Sequence, residues 1–117
     1  MKHLVIPGTG TFVRAVETVS GRAPIILGKP EKFMYDCIKY EFPDLDPSKA
    51  IMIGDRLNTD ILLGKTTGLR TLLVLTGISD LNEVERCSNS DCENDQKMVP
   101  DYYLPSLADL GQMMGVF

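Results

Sequence analysis

Short apolar runs alternate with helical patterns along this 117-residue chain, and that alternation constrains its fold more than any other feature. The sharpest case joins two runs through one helix. Ala50-Ile51-Met52-Ile53 ends at Gly54-Asp55; a helical pattern runs to Thr67, with Asn58 or Thr59 placed to cap it and Gly68 to stop it. Arg70 to Leu75 then reads as a strand buried on both faces. A strand, a crossover helix and a second strand close as a parallel pair. The expected class is α/β, with parallel strands and flanking helices.

The remaining elements are read the same way. Leu4-Val5-Ile6 is a brief strand candidate, Pro7-Gly8-Thr9-Gly10 a turn, and Phe12, Val13, Val16 and Val19 a helix face that Gly21 ends. Pro24-Ile25-Ile26-Leu27 reads as a short buried strand leading into Gly28-Lys29-Pro30. Glu31 to Phe42 is a helix with Phe33, Met34, Cys37 and Ile38 on one face, and Asp46-Pro47 a cap with a first-turn proline. Ser79-Asp80 opens a short helix, and residues 87–98 read as a polar, acidic loop. Asp101-Tyr102-Tyr103-Leu104 is a last edge strand before a closing helix, Leu107 to Met114.

Charge excludes some functions. The net charge is −4, and residues 80–101 hold seven acidic against two basic groups, a surface that repels phosphate backbones. Nucleic acid is therefore not an expected partner. No apolar run reaches the roughly 18 residues of a membrane helix, and Pro7-Gly8 interrupts any signal-peptide core. Three cysteines, an odd number without metal-ligand spacing, fit free thiols in a reducing cytoplasm.

Two places can carry chemistry. Gly54-Asp55-Arg56-Leu57-Asn58-Thr59-Asp60 puts two carboxylates where a buried strand gives way to a helix, the rim at which open α/β sheets bind ligands. Hard carboxylate oxygens held there suit Mg²⁺. The same residues are also what a strand end and an acidic first helical turn require without any ligand. Gly28-Lys29-Pro30 likewise follows an apolar run, so Lys29 can neutralise an anion at that rim or simply stand in solvent.

In combination these segments resemble the haloacid-dehalogenase-like (HAD) phosphatases, in the capped branch of p-nitrophenylphosphatase, phosphoglycolate phosphatase and pyridoxal phosphate phosphatase enzymes. Pro7 to Gly10, Val13 to Glu17, Gly28-Lys29-Pro30, Gly54 to Ile61 and Met98 to Tyr102 carry the likeness. The resemblance implies a Mg²⁺-dependent phosphomonoesterase that works through an aspartyl-phosphate and acts on a small phosphorylated metabolite. It assigns Lys29 to the nucleophile and phosphoryl charge, Asp55 to direct Mg²⁺ ligation, and Asp60 with Asn58 to the supporting shell of the metal. It implies that residues 1–27 are the tail of the cap and 28–117 the C-terminal half of a Rossmann-like HAD core, and that two copies of the longer parent pair through the cap.

The chain departs from the family at its centre. The nucleophile motif, Asp-x-Asp after an apolar strand, is missing, as is the family's Ser or Thr after the second strand. Asp44-Leu45-Asp46 follows a helix end instead of a strand and reads as a cap. The isolated chain is therefore expected to be an inactive C-terminal fragment, with the edge of the strand ending at Asp55 left open. Three other motif resemblances lack required residues. Gly64-Lys65-Thr66-Thr67 imitates a P-loop end without its first glycine, and Gly8-x-Gly10 lacks the third glycine of a dinucleotide fingerprint. A receiver-like phosphoacceptor domain needs an acidic pair after the first strand and a lysine near Thr76 to Ser79, and neither is there. A non-catalytic binding role is the remaining alternative.

Overall fold

The computed structural model describes residues 6–116. Its core is small and is built around a three-stranded parallel sheet, in the order β1-β2-β3. β1 is Ile51–Gly54, β2 Arg70–Val74 and β3 Tyr102–Leu104. Ile53 pairs with Leu72 in register, and Leu72 with Tyr102. Thr71, Leu72, Leu73 and Val74 are all buried, as a central parallel strand demands.

The crossover from β1 to β2 opens as a π-helical turn, Leu57–Ile61, and continues as α3, Leu62–Thr66. Leu57 and Ile61 are fully buried against Leu73 and Cys87 and fix this connection to the sheet. Gly64 allows the close approach, since a Cβ there would overlap the Thr71 methyl and touch Met52. Gly68 takes a φ of 76° and ends the helix, as its place in the sequence predicts. The expected cap by Asn58 or Thr59 is not formed: Arg56 holds the N-cap position and no side chain caps it. The wider turn displaces the cap, with the Arg56 carbonyl accepting from both Asp60 N and Ile61 N.

Away from that end of the sheet, Asp101 ties β2 and β3 together. Its Oδ2 accepts from Thr71 N at 2.8 Å and Thr71 Oγ1 at 2.9 Å, and its Oδ1 from Lys65 Nζ at 2.5 Å. The false P-loop is thus accounted for: Gly64 packs, Lys65 binds Asp101, and Thr66 and Thr67 donate to helix carbonyls.

The peripheral elements are α1 (Thr9–Ser20), α2 (Phe33–Glu41), α4 (Leu81–Ser88), α5 (Glu93–Gln96) and α6 (Leu107–Met113). α1 ends at Gly21 with φ 64°, and Asp80 caps α4, both as the sequence predicts. Three expectations are corrected. Residues 24–27 form no strand; Ile25 and Ile26 stand exposed, with no strand in the sheet to accept them. Residues 87–98 are not all loop, because they include the end of α4 and the whole of α5. Ile6 is not in a strand, and Leu4 and Val5 of that candidate lie outside the described residues. The apolar faces of α1 and α2 are present but uncovered, with Val16 67% and Phe33 50% exposed. β1 is an edge strand, and Ile51 is half exposed on it, as expected.

Candidate active site

β1 ends in a glycine because the next turn folds back over it. Asp60, five residues past Asp55, points inward from the π-turn and is only 4% exposed. A Cβ on Gly54 would overlap the Asp60 side chain and stand 2.7 Å from its Oδ2. Glycine here is a requirement of space. The Asp60 carboxylate is fully engaged: Oδ2 accepts from Arg56 N at 3.2 Å, and Oδ1 accepts from Lys29 Nζ at 2.6 Å. Two motifs 31 residues apart in sequence therefore meet at the carboxyl end of β1. A buried carboxylate held by one cation and one backbone N–H is a satisfied charge.

The Lys29 side chain is 39% exposed, so the pair with Asp60 is open to solvent on the lysine side. An ammonium has three N–H donors, and Asp60 takes one, which leaves donors for an anion at the rim.

Asp55 is fixed from the opposite side by the loop that follows β2. Its Oδ2 accepts from Ile78 N at 3.0 Å, and its carbonyl oxygen accepts from Ser79 N at 2.9 Å. Its Oδ1 has no donor among the described residues, and no basic side chain there pairs with Asp55. A rigid carboxylate with one open hard oxygen fits a divalent cation as one ligand. No three His, Cys, Asp or Glu side chains among the described residues come together to hold a metal. Asn58 is exposed on the π-turn between the two aspartates.

Asp46 lies at the other end of β1, before the Pro47–Lys49 turn, where its Oδ1 accepts from Ser48 N and Oγ. Those hydrogen bonds hold its carboxyl below the usual carboxylate value. It is a cap, a strand's length from Asp55. The residues that sequence reasoning missed are Gly77, Ile78 and Ser79. Their one visible signal is that Gly77 follows an apolar strand, as Gly54 does.

A parallel sheet with a lysine and two aspartates at its carboxyl rim has the architecture of an α/β protein with a charged edge where such folds place their ligand sites. The HAD-hydrolase-like family model matches residues 26–110, and the chain belongs to that family. It is 56% identical over 105 residues to glycerol-3-phosphate phosphatase of Gallus gallus, covering 90% of this chain and 33% of the relative. Among solved structures, 4-nitrophenylphosphatase of Thermotoga maritima superposes with a TM-score of 0.71 at 33% identity, covering 92% of this chain and 38% of that one. Glycerol phosphate phosphatase of Mycobacterium tuberculosis, solved with magnesium, gives 0.69 at 30% identity, covering 90% and 29%. The p-nitrophenylphosphatase-type branch expected from the motifs is the one in which these neighbours fall. The chain spans about a third of the length of the curated relatives it matches.

Proposed function

We propose that this chain supplies the lysine and one metal ligand of a Mg²⁺-dependent phosphomonoester hydrolase. The observation that carries the reading is the meeting of Lys29 with Asp60 beside Asp55, at the end of one strand. In this reading Lys29, oriented by Asp60, neutralises the phosphoryl group, and Asp55 offers Oδ1 to the metal. Bound Mg²⁺ would supply charge stabilisation to the phosphoryl oxygens. Support for that metal comes from the donor chemistry of Asp55 and from the relative solved with magnesium. Asn58 and Asp60 shape the surroundings of the metal, Asp60 through Lys29 and the Arg56 amide.

Attack on phosphorus passes through an aspartyl-phosphate whose aspartate is not among these residues. The isolated chain is accordingly inactive, and its 28–117 portion serves as one half of a catalytic core. The family match that begins at residue 26 supports this division, and so does the exposure of nearly every described residue before Pro30. Residues 1–27 then belong to a cap, through which two copies pair; the uncovered Phe12, Val16 and Val19 support that. The substrate is a small phosphorylated metabolite: glycerol phosphate from the names of relatives, with phosphoglycolate, pyridoxal phosphate and p-nitrophenyl phosphate to be compared. Three unpaired cysteines support a cytoplasmic setting, and no helix among the described residues is long and apolar enough to cross a membrane.

The test is a chimaera in which this chain replaces the matching 105-residue stretch of the chicken enzyme. It is expected to hydrolyse glycerol 3-phosphate with Mg²⁺, and Lys29→Ala or Asp55→Asn is expected to lower kcat/KM by at least about a hundredfold. An active chimaera indifferent to both substitutions would overturn the proposal.

A further inference from the structure

We infer that Ser79 is a positioning residue for Asp55, and that the loop from Thr76 to Ser79 presents a single carboxylate oxygen to the metal. The inference rests on the proposed role of Asp55 as a ligand. Ser79 is 4% exposed and binds the backbone at two points from Asp55 onward. Its N–H donates to the Asp55 carbonyl at 2.9 Å, and its Oγ accepts from Leu57 N at 3.2 Å. One side chain and its own amide thus span residues 55 to 57, the stretch where strand becomes π-turn.

The carboxylate is gripped by the two preceding loop residues. Ile78 N donates to Oδ2 at 3.0 Å, while Gly77 leaves vacant the volume that Asp55 fills, since a Cβ there would overlap the carboxylate. Oδ2 thus already accepts one hydrogen bond, while Oδ1, with no donor among the described residues, is the more open oxygen for a cation. Holding a ligand in one geometry before the metal arrives strengthens binding, and loss of such a partner costs metal affinity about tenfold or more. Ser79 also precedes Asp80, the N-cap of α4, so a purely structural role must be separated from positioning.

The experiment uses the ¹⁵N-labelled 117-residue chain, read by amide hydrogen exchange at Ile78 and by Mn²⁺ line broadening around Asp55. Ser79→Ala is expected to speed Ile78 exchange and raise the Mn²⁺ Kd, each about tenfold. Ser79→Thr, which keeps the hydroxyl, should show a much smaller change. Asp80→Ala removes the α4 cap alone and should change neither. If Ser79→Ala does not fold, Gly77→Ala expels the carboxylate from the other side and should move both readings with Ser79 intact. Wild-type exchange and affinity in Ser79→Ala, or an equal change in Asp80→Ala, would overturn the inference. Mn²⁺ broadening absent in the wild type, or unchanged in Asp55→Asn, would instead sink Asp55 as a ligand, and Ile78 exchange would then decide the positioning by itself.

Discussion

Replacing Lys29 by Met removes the only side-chain cation among the described residues that meets the buried Asp60 carboxylate, while keeping most of the apolar stem. At 2.6 Å and an effective dielectric of about 20, the gross attraction is roughly 6 kcal/mol. Most of that is offset, because Asp60 is desolvated and Lys29 is still 39% exposed. Breaking a fully buried pair costs about 3–5 kcal/mol, and half-open geometry lowers the expectation to about 2 kcal/mol. For a domain of this size that is a fall in Tm of roughly 10 °C. Thermal unfolding followed by circular dichroism should be run on Lys29→Met, Asp60→Asn and the double variant. With the charge of Asp60 gone, Lys29 has little left to stabilise, so the double variant should recover about 1 kcal/mol against additivity. A Lys29→Met chain melting within about 2 °C of the wild type, or a coupling energy near zero, would refute the view that these two motifs hold each other.

Gly54→Ala should be among the most damaging single-methyl changes in the chain, costing about 3 kcal/mol, because its Cβ would drive Asp60 away from Lys29; calorimetry should show a large loss, and a near-neutral result would contradict the close approach. Burial raises the Asp101 carboxyl, but hydrogen bonds from Lys65 and Thr71 outweigh it and leave the group below its ordinary value. Its contribution is therefore present above the unfolded carboxylate range near pH 4 and is lost as pH falls through the lower folded value. Asp101→Asn should destabilise by about 1 kcal/mol at neutral pH and converge on the wild type in acid, as urea melts across pH would register. Neither the wild-type chain nor Asp46→Asn should hydrolyse p-nitrophenyl phosphate above the enzyme-free rate; turnover abolished by Asp46→Asn would restore Asp46 as a nucleophile.

How much was legible depended on whether the signal was local. Gly21 and Gly68 adopt the left-handed turn conformation that a stop requires, and Asp46 and Asp80 cap the turns they precede. Each needs only its neighbours. β2 declared itself because burial on both faces leaves no polar alternation. The run at 24–27 has the same apolar signature, but a strand requires a partner edge as well as composition, and none reaches it. At the site, Asp55 followed from strand and glycine, whereas the pairing of Lys29 with Asp60 joins segments far apart in sequence. The π-turn was also invisible, for Asn58 and Thr59 are good caps and only the packing of Leu57 and Ile61 overrules them. The clasp of Gly77, Ile78 and Ser79 on Asp55 is mostly backbone, and backbone donors leave little mark in a sequence.

The most direct examination of the central claim is anomalous diffraction from Mn²⁺-soaked crystals of the chicken-enzyme chimaera. The expected peak lies about 2.1 Å from Asp55 Oδ1, with Ile78 N still on Oδ2 and the Lys29 ammonium on Asp60. A peak coordinated by Asp60 instead, with Lys29 displaced, would contradict the division of labour assigned to the two carboxylates, and no peak at the end of β1 would contradict the metal site itself.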